Sequence, residues 1–191
     1  QIIGWREYMY WQYWRMMPEL AERNAWEARR DLPAFFWTGR TRMACVGHAV
    51  RGALETAYLH HIQRLMVISN FCLMAGIEPR QVVDWFMALF IDAYDWVMVP
   101  NVYGMSQYAD GGLLSTKPYV SSSQYILRMS DYRKGPWCDV WDGLYWRFLY
   151  RNREELSKRA RMGLALAPLK RMRADTLKGH LQTAEAYLKR L

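Results

Sequence analysis

Long apolar runs are missing from this chain of 191 residues. A membrane-crossing helix needs about 20 consecutive apolar residues. The nearest candidate, 65–77, is shorter and is broken by Ser69 and Asn70, so no membrane partner is expected. Cysteine is scarce. Cys45, Cys72 and Cys138 have no close spacing, which indicates neither a disulfide framework nor a zinc site and favours a reducing, cytoplasmic location. There is no signal-peptide pattern and no initiating Met. The chain opens on Gln1 inside a segment that already reads as helix, so a piece of a longer protein is expected. No Gly-rich phosphate loop of Walker or Rossmann form is present, and Gly111-Gly112 reads as a turn. Ser121–Ser123 lacks the setting of a nucleophile elbow, which argues against a serine hydrolase. Period-two alternation is nearly absent, as are internal repeats and low-complexity segments.

What is present is an apolar, aromatic, helix-patterned chain. Its 52% apolar content argues against disorder, and the length suffices for one domain, 1–191, with a sizeable core. Ile2–Met17 is apolar all round and reads as a largely buried helix. Pro18 and 24–33 read as connection. Helical spacing runs over 43–60 and 62–75, the latter closed by Gly76 as C-cap. Pro79 at a first turn opens another helix, to about Ala93. Residues 100–123, rich in Gly, Pro and Ser, read as a long ordered loop. A short helix over 122–131 is followed by a break at Gly135-Pro136. Helices resume over 141–152 and 152–162, and Asp175 reads as the N-cap of a last helix to Leu191. The class is all-α.

Charge is unevenly placed. Residues 1–146 hold 14 basic and 14 acidic side chains, whereas 147–191 hold 12 and 4 and so carry the whole net charge of +8. Such a basic helical end either meets phosphate backbones through counterion release or is a solvated surface.

Polar residues able to do chemistry cluster between Trp37 and Tyr119. The adjacent His60 and His61 lie at a helix junction, where helical geometry points neighbours about 100° apart; they serve either a site or packing. Arg64 shares a face with His61. Asp92 and Asp95 recur at the same spacing near a helix end. One of them suits a pair with Arg64, the other a hydrogen bond from a polar heterocycle; a solvated terminus is the alternative, although carboxylates at a helix C-terminus oppose its dipole. The paired His and Asp lack metal-ligand spacing, so no metal is expected. Trp37 and Trp85 are either core or part of an aromatic relay, which ten Trp and thirteen Tyr would supply.

Several motifs occur together and in order. They are Trp5-Arg6-Glu7, the Trp-Thr-Gly-x-Thr-x-Met-x-Cys run from Trp37 to Cys45, and Tyr-x-His-His-Ile-Gln-Arg-Leu-Met from Tyr58. Asp-Ala-Tyr-Asp-Trp-Val from Asp92, Pro-Asn-x-x-Gly-Met-Ser from Pro100 and Asp-Gly-Gly-x-x-x-x-Lys-Pro-Tyr from Asp110 follow. Over residues 1–173, most strongly 35–132, the chain resembles the photolyase and cryptochrome family. It is most similar to the bacterial photolyase-related branch that repairs (6-4) photoproducts and usually carries an iron–sulfur cluster. The resemblance implies the C-terminal portion of a helical FAD-binding domain, without the N-terminal α/β antenna domain and upstream helices. By resemblance, Arg6, His61, Arg64, Asp92, Asp95 and Asn101 would hold FAD, with His60 and His61 catalytic. Gln1, Lys117 and Tyr119 would face damaged DNA, and Trp37 and Trp85 would relay electrons. The implied chemistry is light-driven electron transfer from reduced flavin to a flipped-out pyrimidine lesion, with a histidine supplying a proton. A monomer is expected.

Two departures stand out. The iron–sulfur branch takes four cysteines. Cys45 matches the first and Cys138 lies near the fourth, but Arg133 and Pro136 occupy the other two positions. Two thiolates cannot hold a cluster that takes four, so the cluster is expected to be lost. Met98 stands where the resemblance implies an acid beside the flavin. The functions to separate are a DNA-repair photolyase, a blue-light photoreceptor without repair, and a flavin-free helical DNA-binding module.

Overall fold

The computed structural model describes residues 2–191; Gln1 lies outside the described residues. The fold is all-α, with no β-strand among the described residues and a single bridge between Arg30 and Ile77. At its centre is α3 (Asn70–Ala75), every residue of which is buried. A wide π-helical segment, Gln63–Ser69, leads into α3. Gly76, at φ +73°, closes it in the left-handed conformation that glycine adopts freely. Phe71 of α3 packs its ring against Phe35, Trp141 and Tyr187, with centroids 5.8 to 6.5 Å apart.

Around α3 stand α2 (Ala44–Thr56), α4 (Pro79–Leu89) and α7 (Pro136–Arg151). The Glu78 side chain caps α4 at Gln81 N, 2.9 Å away, and Pro79 occupies its first turn. Trp85 is 1% exposed and donates its indole N–H to the Phe36 carbonyl, 3.0 Å away. α10 (Ala174–Leu188) lies along α7 in the most extensive helix pairing of the molecule. The short helices α5 (Asp95–Met98), α6 (Ser123–Arg128) and α8 (Arg153–Ser157), with α9 (Gly163–Arg171), complete the set.

The structure differs from the sequence reading at several elements. The first helix, α1 (Glu7–Met16), is on the surface and not largely buried: only Met9 is buried, while Trp11 and Trp14 are 68% and 62% exposed. Its aromatic side chains meet each other and Trp96 edge-on instead of entering the core. The stretch 43–60 stops being helical at Thr56, where Ala57 turns left-handed. The helix from Pro79 ends at Leu89, short of Ala93. The long loop over 100–123 begins as π-helix, Val99–Ser106, because Pro100 falls in a first turn, where its missing N–H costs nothing. Gly135-Pro136 starts α7 for the same reason, with Gly135 as N-cap, so this helix begins five residues before Trp141. Asp175 sits in the first turn of α10 and does not cap it; Arg173 holds the cap position without a side-chain bond.

α7 and α10 approach closely at Gly143. A Cβ there would lie 3.0 Å from the His180 carbonyl oxygen and 3.2 Å from Ala184 N, both backbone atoms that cannot swing aside. Gly143→Ala is expected to destabilise the fold by about 1–3 kcal/mol, measured by urea unfolding. An unchanged midpoint would show that the helix pair can separate without loss.

Candidate functional site

Arg64 and Asp92 meet where the turn after α2, the start of the 61–75 helix and the turn before α5 come together, with His60 and His61 one turn before Arg64, whereas Asp95 and Asn101 bond to the N-terminal segment. Arg64 organises this corner. Its Nε donates to the Leu59 carbonyl at 2.7 Å, and a terminal nitrogen donates to Asp92 Oδ1 at 2.8 Å. Its guanidinium lies over the Phe90 and Tyr58 rings, 4.4 and 4.9 Å from their centroids. The Arg64 side chain is 15% exposed and that of Asp92 is 48% exposed, so one face of the pair reaches solvent.

His60 precedes the helix and His61 begins it. His60 Nδ1 accepts from Ile62 N at 3.2 Å. With His60 outside the helix, the two side chains do not splay by 100° as helical neighbours would. Their rings lie side by side, centroids 4.3 Å apart and tilted 39°. Both residues are exposed.

Asp92 and Asp95 do not sit at a helix C-terminus. The chain turns through 91–92, and Asp95 opens α5. A carboxylate in a first turn is favoured by the helix dipole, so the expected electrostatic conflict does not arise. Asp95 accepts a hydrogen bond from the Tyr13 hydroxyl of α1. That bond, with burial and the carboxylate charge adding to it, raises the Tyr13 pKa above its ordinary value. Asn101 accepts from the Trp5 indole N–H at 3.0 Å and donates to the Val97 carbonyl at 2.8 Å. The sequence singles out no individual role for Trp5, Tyr13 or Tyr58. Tyr13 and Asp95 are 82 positions apart, and nothing local marks them as partners.

The remaining candidates are dispersed. Arg6 is exposed at the end of the π-helical turn Ile2–Arg6. Trp85 is in the core and Trp37 is 52% exposed; Phe36, next to Trp37 in the chain, meets the Trp85 ring edge-on at 5.2 Å. Lys117 is exposed and Tyr119 half-buried on the loop that follows Asp110. This loop is tied down by the buried Asp110 carboxylate, which accepts from Gly112 N and Leu114 N, each at 2.8 Å. Burial raises the Asp110 pKa, and the same backbone N–H groups oppose that rise. Gly111 and Gly112 have φ of +74° and +95°, the turn expected at that pair.

The chain is 46% identical to a (6-4) photolyase of Agrobacterium fabrum over 201 aligned positions, which take in all of this chain and 40% of that protein. It is also 45% identical over 114 positions to the uncharacterized protein R855 of Acanthamoeba polyphaga mimivirus, matching 59% of this chain and 93% of that protein. The chain therefore spans well under half the length of the photolyase it matches. No protein-family profile matches it.

The positions considered for a metal cluster do not form a thiolate set. Cys45 and Cys138 are buried thiols. Burial pushes the Cys45 thiol up to about 12, with Cys138 nearby adding to the rise. Arg133 is exposed and its carbonyl accepts from the Trp137 indole at 3.2 Å, while Pro136 opens α7. No group of three or more His, Cys, Asp or Glu suited to a metal ion occurs among the described residues. Anaerobically purified protein is expected to contain no stoichiometric iron or acid-labile sulfide, whereas about four irons per chain would contradict the donor count.

Proposed function

The chain belongs to the photolyase and cryptochrome family, and from that premise we propose that it forms the flavin-facing helical part of a light-driven DNA-repair enzyme acting on (6-4) pyrimidine lesions. The observation that carries this reading is the exposed His60–His61 pair, rings 4.3 Å apart, set one helical turn from the Arg64–Asp92 ion pair. A proton donor and a fixed charge pair then share one open ledge.

The donor set on this ledge fits flavin adenine dinucleotide. A flavin ring needs hydrogen-bonding partners at its polar edge and apolar walls at its faces. His61, Arg64 and Asp92 would supply donors and acceptors, as would Asp95 and Asn101, with Trp5, Tyr10 and Trp96 as aromatic surface beside the latter two. Arg6 would add a cation for the phosphates. Bound there, the cofactor would supply light-driven one-electron reduction of the lesion.

The protein's own groups would do the rest. His60 and His61 would hold and release a proton toward the lesion, a step suited to imidazole near neutral pH. Lys117 and Tyr119, held by the Asp110 loop, would meet the DNA strand. A lesion stacked in duplex DNA cannot reach such a ledge, so extrusion of the base is required. Trp85, with the aromatic rings packed around it, and Trp37 would carry electrons to the cofactor from outside. The protein would work as a monomer in the cytoplasm. A blue-light photoreceptor on the same scaffold is the second reading. It is favoured by Met98, which is 4% exposed and presents no carboxylate to the ledge.

In the natural protein carrying this chain, His60→Ala or His61→Ala is expected to leave the flavin bound, because Arg64, Asp92 and Asp95 remain. Repair of a (6-4) lesion per absorbed photon should fall by about two orders of magnitude, the usual worth of a positioned general acid. Photoreduction should be nearly unchanged. Wild-type repair yield in both variants would make the histidines structural.

The basic end makes a separate prediction. Lys170, Arg171 and Arg173 lie exposed at the corner between α9 and α10, and none is in an ion pair among the described residues. If they meet phosphates, neutralising all three should weaken binding to every DNA sequence and lower the salt slope by about 0.9 for each phosphate no longer neutralised. An unchanged slope would identify a solvated face.

A further inference from the structure

A cleft of about 370 Å³ lies away from the His60–Asp95 ledge, between the segment 26–30, the end of α3 and the C-terminal half of α7. Its lining holds four arginines, Arg29, Arg30, Arg147 and Arg151. One of them is bonded to a carboxylate outside the lining. Arg147 donates its Nε to Glu185 of α10, and this bond, followed by the charges of Arg147 itself, Arg151 and Arg30, holds the Glu185 carboxyl below its usual range. Arg147 is only 9% exposed, and Nε is its one nitrogen committed to a protein acceptor. Arg30 is committed to backbone, donating to the Ala75 and Leu188 carbonyls. Glu27 is the one carboxylate in the lining, against four arginines.

Guanidinium N–H groups free of protein acceptors match the geometry of a phosphate group.

We propose that this cleft is a binding site for a small phosphate-bearing ligand, with Arg147 and Arg151 contacting the phosphate. A phosphorylated metabolite and free orthophosphate share that chemistry, and the volume admits either.

The test is calorimetric titration of the full chain at low salt with inorganic phosphate and, separately, with adenosine monophosphate. Binding by wild type is expected, weakened about tenfold, or 1.4 kcal/mol, by Arg151→Gln. Arg151 is exposed and in no ion pair among the described residues, so this variant keeps the fold. Lys178→Gln, outside the cleft lining, should change nothing. Tighter binding of the nucleotide identifies an organic phosphate, and equal binding identifies orthophosphate; either supports the site. The proposal is overturned if wild type binds neither probe at millimolar concentration. It is also overturned if Arg151→Gln binds as wild type does, or if only duplex DNA binds and neither probe displaces it.

Discussion

The corner that carries the candidate chemistry depends on one side chain. Arg64 joins three stretches that are distant in the chain: the loop carbonyl at Leu59, the carboxylate at Asp92 and the ring of Phe90 at the end of α4. A guanidinium suits this task because its planar fork directs donors two ways while its face stacks on aromatic rings. Asp92 offsets the cation, so its removal would leave a mostly buried charge unpaired. The His60–His61 turn is short and begins beside Leu59, so its position follows from where Arg64 holds that carbonyl. Lysine could satisfy the charge but not the two-directional bonding or the stacking.

Around that corner the molecule separates into a rigid interior and an open aromatic edge. α3 is buried along its whole length, and α7 and α10 approach closely enough at Gly143 that a methyl group would press on backbone. α1, in contrast, exposes Trp11 and Trp14, yet the N-terminal segment reaches the site by two specific bonds, Trp5 to Asn101 and Tyr13 to Asp95. These bonds place an aromatic wall beside the polar ledge. The arginine cleft is lined by none of these residues, so the two sites can be perturbed independently.

Much of this is legible in the sequence, for identifiable reasons. The all-α class follows from helical periodicity without alternation. Gly76 and Pro79 mark helix ends because their backbone preferences are local. The Arg64–Asp92 pair is foreseeable from complementary charges on neighbouring elements. The exposure of α1 is not, because aromatic content says that a side chain is apolar and not what it packs against. Sequence alone also places Asp95 at the wrong helix end, because the turn at 91–94 carries neither Gly nor Pro. The arginine cleft is invisible, since the 26–30 segment, the end of α3 and the second half of α7 come together only in the fold. The π-helical start of the 99–106 segment carries one signal, Pro100, which equally suits a loop.

The central claim is that the ledge around Arg64 meets a flavin. The most direct measurement is the absorbance and fluorescence spectrum of the natural protein carrying this chain, purified in the dark, alongside its Asp95→Ala variant. Flavin bands at about one flavin per chain are expected in wild type, with clear loss of flavin from a variant that keeps its helical circular dichroism. A wild-type protein that is folded, binds DNA and shows no flavin bands would contradict the claim.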